Sequence, residues 1–208
     1  MLKSCNESRG RCVLYLSEEK LTNAELISGI IEGDRMAARQ FHLRYCATIS
    51  RWVWHLLGGD REHEDMVQQV LVGVISGMPS IKKPESLDAW VRSVTMRVVR
   101  DELRNRKKRR SLFNADSGED EVYADPNHPC KQVHIRSFYT ILDKMNLDDR
   151  VIFVFKYLEG FSNEQVAEAV GFSLSKAKRR LKRARDRFLK EAMSDYALVT
   201  LLERDHGR

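Results

Sequence analysis

Between Leu174 and Lys190 the cationic side chains are Lys176, Lys178, Arg179, Arg180, Lys182, Arg183, Arg185, Arg187 and Lys190, and Asp186 is the only acid. Leu174, Ala177, Leu181, Ala184 and Phe188 recur at steps of three and four, which makes one apolar stripe along a helix. A helix this basic repels itself in isolation and calls for a polyanion. Just upstream, Ser162 and Gln165 have capping-box spacing. Val166, Ala167 and Val170 give a short helix an inward face, Gly171 permits a tight turn, Phe172 fills the space between the helices, and Ser173 caps the second one. Short helix, tight turn and basic helix together predict a helix-turn-helix, whose second helix enters the major groove with its first turns against the base edges. The candidate DNA contacts are Ser175, Lys176, Lys178, Arg179, Lys182 and Arg183. Arginine, with its planar fork, is the better base reader, and the lysines are expected to hold phosphates. The plainer alternative is a solvated basic helix. The short first helix, Gly171 and the concentration of cations on one element weigh against it.

A second cationic cluster is Arg104-Asn105-Arg106-Lys107-Lys108-Arg109-Arg110, six cations in seven positions. It reads either as a solvated helix end or as a strand-binding surface, and its density favours the latter. The composition then inverts: Asp116, Glu119, Asp120, Glu121 and Asp125 follow without a basic residue among them, and Pro126 and Pro129 come next. Other chemistry is poorly represented. The histidines are scattered without metal-ligand pairing. Cys5 and Cys12 lack a paired Cys-x-x-Cys spacing, and Cys46 reads as a small core residue. No metal site, no cofactor and no nucleophile–base pair is expected.

These groups need elements to position them, and the apolar pattern predicts helices throughout. Thr22 and Glu25 form a capping box before Leu26, Ile27, Ile30 and Ile31, and Gly33 ends that helix. Asp34 caps a helix carrying Met36, Ala37, Phe41, Tyr45, Ile49, Trp52, Val53 and Leu56, which Gly58-Gly59 ends. A third helix, from near Asp60 to about Ser76, buries Met66, Val67, Val70, Leu71, Val74 and Ile75. Pro84 is expected to keep the next loop non-helical. Ser86 is a candidate cap for a fourth helix containing Leu87, Trp90, Val91, Val94, Val98 and Leu103, with Trp90 as a core aromatic. After the acidic stretch, Ile135 to Met145 suggests a helix. Val151 to Phe155 is an unbroken apolar run that could be a strand, but Asp148-Asp149 before it and Gly160 after it favour a helix. The chain is thus expected to be all-α, with two small helical domains joined by a flexible linker. The boundaries are an N-terminal extension (1–21), a first domain (22–112), an acidic linker (113–132), a second domain (133–193) and a C-terminal tail (194–208).

With 208 residues, 42% of them hydrophobic and 32% charged, the chain is long enough for two cores, and its formal net charge of +6 favours polyanionic partners. No stretch of about 18 apolar residues occurs and Met1 to Arg11 is polar, so no membrane insertion and a cytoplasmic location are expected.

The combination resembles a sigma factor of the extracytoplasmic-function (ECF) type in the sigma-70 family, over roughly residues 25–110 and 135–190. Glu64-Asp65-Met66-Val67-Gln68-Gln69-Val70 is similar to the family's Glu-Asp-Leu-Val-Gln-Glu-Val. The resemblance implies that Asp65, Gln68 and Gln69 dock on core RNA polymerase, with Gln69 replacing a usual glutamate. Ala89-Trp90-Val91, Asp101-Glu102-Leu103-Arg104 and the basic tail resemble the part that recognises and melts the minus-ten promoter element. Lys82, Lys83, Arg97, Arg100 and Arg104 are its candidate contacts, with Met96-Arg97 standing where an Arg-Asn pair is frequent. Tyr157-Leu158-Glu159-Gly160-Phe161-Ser162 and Val166-Ala167 resemble region four, which binds the minus-thirty-five element, and Lys176 and Arg179 stand where many relatives carry Thr and Ser. By the same resemblance the linker acids mimic RNA in a basic channel, or they are an ordinary solvated linker. The implied partners are core RNA polymerase, promoter DNA and an anti-sigma factor. The alternatives are a stand-alone helix-turn-helix regulator, which would carry a ligand-sensing or receiver domain, and a DNA-processing enzyme, for which the residues are missing.

Overall fold

The computed structural model describes residues 20–58, 62–113, 129–196 and 198–199. The acidic stretch 116–125 and most of the N-terminal extension lie outside them. Among the described residues eight α-helices follow one another: α1 (Asn23–Glu32), α2 (Arg35–Leu57), α3 (His63–Gly77), α4 (Leu87–Phe113), α5 (Pro129–Asp143), α6 (Leu147–Tyr157), α7 (Asn163–Val170) and α8 (Leu174–Ala192). No strand occurs among the described residues, so the all-α expectation holds.

The capping signals act as the sequence predicts. Thr22 accepts from the Glu25 amide while the Glu25 carboxylate accepts from the Thr22 amide, closing the capping box of α1. Asp34 caps α2 through the Met36 amide at 2.8 Å. Such a cap contributes about 1 kcal/mol by satisfying an otherwise orphaned amide. At the start of α4 the expectation fails. Ser86 belongs to a 3-10 turn, Pro84–Ser86, and its hydroxyl donates backward to the Lys83 carbonyl at 2.6 Å. The loop holds a second 3-10 turn at Met78–Ser80. Pro84 does not prevent helical geometry here, because a proline in the first turn has no amide to lose.

Helices α1 to α4 surround one core in which Leu26, Phe41, Ile49, Val53, Val70, Val74, Met78, Leu87 and Val91 are almost wholly inaccessible. Tyr45 of α2 reaches across to donate to the Asp88 carboxylate at 2.6 Å, pinning the first turn of α4. Burial, and then that hydrogen bond, push the Tyr45 phenol well above its ordinary range. Trp90 is a packing residue, as expected. Its ring lies so close to Gly77 that a Cβ there would come within 2.4 Å of it, which ties the end of α3 to α4.

The second group of helices is built around α6. Val151, Ile152, Phe153, Val154 and Phe155 are all buried, which explains the unbroken apolar run: a helix covered on every side has no polar face to write into its sequence. Phe153 stacks on Phe188 of α8 with ring centroids 4.7 Å apart, and Phe155 meets Trp52 of α2 edge-on at 6.0 Å. That second contact lies between the two helical groups. Helix α6 packs on α2 and α4, and α7 packs on α4, so the two helical groups share an interface and one continuous core.

Candidate nucleic-acid interface

The helix-turn-helix forms as the sequence predicts. Ser162 and Gln165 close a capping box at α7. Gly171 ends α7 at φ +69°, the left-handed conformation that glycine adopts without strain. Ser173 caps α8 through the Lys176 amide. Ala177 and Ala184 turn inward, Leu181 and Phe188 are half-buried, and Leu174, the first member of the stripe, stays 37% exposed at the helix end. Ser175, Lys176, Lys178, Arg179, Lys182 and Arg183 are all exposed. Ser175, Lys178, Arg179, Lys182 and Arg183 fall at steps of three and four, so they share one side of α8. Lys176 leans back over Phe172, its ammonium 3.9 Å from the ring centroid.

Arg180, which stood outside the candidate set, is half-buried. It pairs with Asp148 of α6 and lies 3.0 Å from Asp149, a contact whose geometry falls short of a hydrogen bond. Its place between contact candidates in the sequence hides this role.

On the first helical group, Lys82 and Lys83 are exposed in the segment between the two 3-10 turns. Asn23 of α1 holds that segment by donating to the Pro84 carbonyl at 3.1 Å. Arg97, Arg100 and Arg104 line one side of α4 at steps of three and four. Arg97 and Arg104 are exposed, and Arg104 pairs with Asp101 at 2.8 Å. Arg100 is half-buried and bonded to Asp148. The basic end of α4 is less available than its charge suggests. Arg106 pairs with Glu102 at 2.9 Å and Glu62 at 3.0 Å, and Arg109 with Glu102 at 2.7 Å, leaving Lys107 and Lys108 outward. Glu102 on the same helix and Glu62 at the N-cap of α3 consume the charge.

Asp65, Gln68 and Gln69 are exposed together on α3, and Val72, one turn further on, is 63% exposed. Met66, Val67 and Val70 occupy the opposite, buried side. The three predicted docking residues therefore share one outward face. No group of histidine, cysteine, aspartate and glutamate suited to a metal occurs among the described residues. Cys46 is a half-buried free thiol.

Sequence reasoning missed the groups that join the helical groups. Glu159 accepts from Arg51 Nε and Trp52 Nε1, each at 3.1 Å, and bonds His55 Nδ1; its side chain is 3% exposed. Arg150 is 3% exposed and donates from Nε to the Leu56 carbonyl at 2.9 Å, while its Nη1 meets Asp143. Burial pushes its guanidinium below the ordinary value, against the opposing pull of the Asp143 carboxylate. Tyr139 donates to the Trp54 carbonyl at 3.0 Å, and burial raises its phenol to about 12. The second helical group thus caps the C-terminal turn of α2. One signal was present: Arg150 sits directly before five apolar residues that must be buried, and a cation in such a run requires a partner.

Comparison with known proteins agrees with this arrangement. The sigma-70 region 2 family matches residues 42–109 and the sigma-70, region 4 family matches residues 135–188. The chain belongs to the sigma-70 family of RNA polymerase sigma factors. Within it the chain is of the ECF type, a sigma factor serving promoter-specific transcription initiation with core RNA polymerase. It is 23% identical to the ECF RNA polymerase sigma factor SigX of Bacillus subtilis (strain 168) over 140 residues, 64% of this chain and 72% of that protein. Two solved structures share the fold. CnrH in complex with the cytosolic domain of CnrY aligns with a TM-score of 0.60 and 17% identity over 83% of this chain and 98% of that one. The sigma factor RpoE in complex with the anti-sigma factor NepR, from Bartonella quintana, aligns with a TM-score of 0.54 and 20% identity over 76% of this chain and 97% of that one.

Proposed function

We propose that this sigma factor docks on core polymerase through Asp65, Gln68 and Gln69 of α3. Lys82, Lys83, Arg97, Arg100 and Arg104 contact and help open the minus-ten element, and the outward side of α8 holds the minus-thirty-five element. Residues 22–112 and 133–193 act as the two domains. The observation that carries this reading is the coexistence, in one chain, of an acidic and amide face on α3 with an exposed cationic face on the second helix of a helix-turn-helix. A stand-alone regulator would need only the second. The chain brings no catalysis of its own and works in the cytoplasm. No helix among the described residues is long and apolar enough to cross a membrane. An anti-sigma factor is a further expected partner, since RpoE, whose fold this chain shares, is bound to one.

In vitro transcription with core polymerase and a genomic promoter library tests the reading. Transcripts that depend on the chain, and are lost with Asp65→Lys alongside its co-purification with core, are the expected result. Undiminished co-purification of Asp65→Lys would remove the docking assignment.

A further inference from the structure

Phe172 stands in the turn between α7 and α8, and its ring meets two cations. The Lys176 ammonium is 3.9 Å from the ring centroid and the Arg180 guanidinium carbon 5.4 Å from it. A cation over an aromatic face is attracted by the negative face of the ring quadrupole. The ring itself has a fixed place. Gly171 turns the chain at φ +69°, the Phe172 amide donates to the Ala167 carbonyl at 2.9 Å, and the half-buried ring packs against the core. Arg180 is fixed in its turn, bonded to Asp148 and 3.0 Å from Asp149, both on α6. The amide of Lys176 donates to the Ser173 hydroxyl. Lys176 is therefore held at its backbone and at its ammonium, although the residue is exposed.

This sets Lys176 apart from the other exposed cations of α8. Side chains on a helix lean toward its N-terminus, so a long one covers the turn before its own. The Lys176 ammonium accordingly lies back over the turn, at the margin of the row formed by Ser175, Lys178, Arg179, Lys182 and Arg183. An unconstrained lysine gives up much rotamer freedom when it settles on a phosphate. Lys176 has given up part of that freedom before DNA arrives, which is preorganisation. The ring engages one side of the ammonium and leaves donors for an anion. A compact ammonium acts there as a point charge, without the planar fork that reads a base edge.

We propose that Phe172 is a positioning residue for DNA binding. It holds Lys176 at the start of α8 as a preset phosphate contact, beside the row that faces the base edges. The inference deepens the function proposed above and rests on α8 meeting duplex DNA.

The test measures the affinity of the full chain for a promoter duplex, recovered from the genomic library, and for a scrambled duplex across a range of salt. Phe172→Leu keeps an apolar filler and removes the ring. Its plot of log affinity against log salt should become shallower on both duplexes, by up to about 0.9, the share of one phosphate contact. Lys176→Ala should do the same, and the double variant should lose no more than Lys176→Ala alone. Phe172→Trp, which keeps an aromatic face, should retain the slope. A slope unchanged by Phe172→Leu, or a further loss in the double variant, would overturn the inference. Proton resonance of the free chain gives a readout that needs no DNA. The ε-methylene protons of Lys176 should lie upfield, under the ring current, and return with Phe172→Leu. Ordinary shifts in the unaltered chain would overturn the inference whether or not the leucine variant folds. An unaltered chain without salt-dependent affinity for duplex DNA would instead defeat the DNA-binding reading of α8, and the inference with it.

Discussion

Arg179 and Arg180 are neighbours in sequence with opposite situations. Arg179 is exposed on the outward side of α8, whereas Arg180 is turned inward onto Asp148 and Asp149. Arg179→Ala is expected to cost about 1–3 kcal/mol at a matched promoter and less at a scrambled one, the signature of base reading. An equal loss on both DNAs would reduce Arg179 to a phosphate contact, and no loss would exclude it. Tyr139 carries a pH prediction. A tyrosine in an unfolded chain titrates near 10, and burial raises this one to about 12. The folded chain keeps a proton that the unfolded chain releases. The stability that Tyr139 contributes should therefore be constant below about pH 10 and fall as the pH rises toward about 12. Tyr45, raised in the same direction, adds to the fall. Tyr139→Phe should flatten the alkaline slope without removing it, as thermal melts at a series of alkaline pH values would show. At this scale the exposed candidates were legible, because solvated charge is written locally. Glu159 was not legible as a clasp: its partner Trp52 lies 107 positions away, and local patterning carries no trace of such a distance.

Caps and turns were the most readable elements, since a cap is a relation between residues two or three apart. Thr22 with Glu25, Asp34, Ser162 with Gln165, and Ser173 all act at the ends their spacing marks. Ser86 misled because its hydroxyl found a nearer carbonyl behind it. Asn146, the actual cap of α6, was passed over for the acids that follow it. The type of α6 was ambiguous for the opposite reason, as a helix buried all round loses its period. Two glycines separate conformational cost from packing cost. Gly171 has φ +69° and open space where a Cβ would go, whereas Gly58 has φ +88° and would set a Cβ 3.0 Å from the Tyr139 ring. Gly171→Ala should cost about 1–2 kcal/mol from backbone conformation alone. Gly58→Ala should cost more, by the ring contact added to the same strain. Chemical denaturation of the two variants compares them, and equal losses would mean that the Tyr139 ring yields freely.

For the molecule as a whole, the division into two helical groups was readable from the break between the basic tail of α4 and the acids after it. Their mutual packing was not, because the interface is made by residues that each group would otherwise count as its own core or surface. Trp52 belongs to the first group by periodicity, yet it is 6% exposed because Phe155 and Phe161 of the second group face it edge-on at 6.0 and 5.9 Å. Its indole donates to Glu159 at 3.1 Å. Separation of the groups would hand that indole to water. In a chain whose Trp54 and Trp90 are changed to phenylalanine, Trp52 would therefore be an optical gauge of any separation of the two groups, read without any label. In that chain, Glu159→Gln keeps the shape of the side chain and removes the charge that holds Arg51. Its tryptophan emission should move to longer wavelength relative to the unaltered chain, and added salt should move the unaltered chain in the same direction. An emission maximum indifferent to both would mean that the indole stays covered.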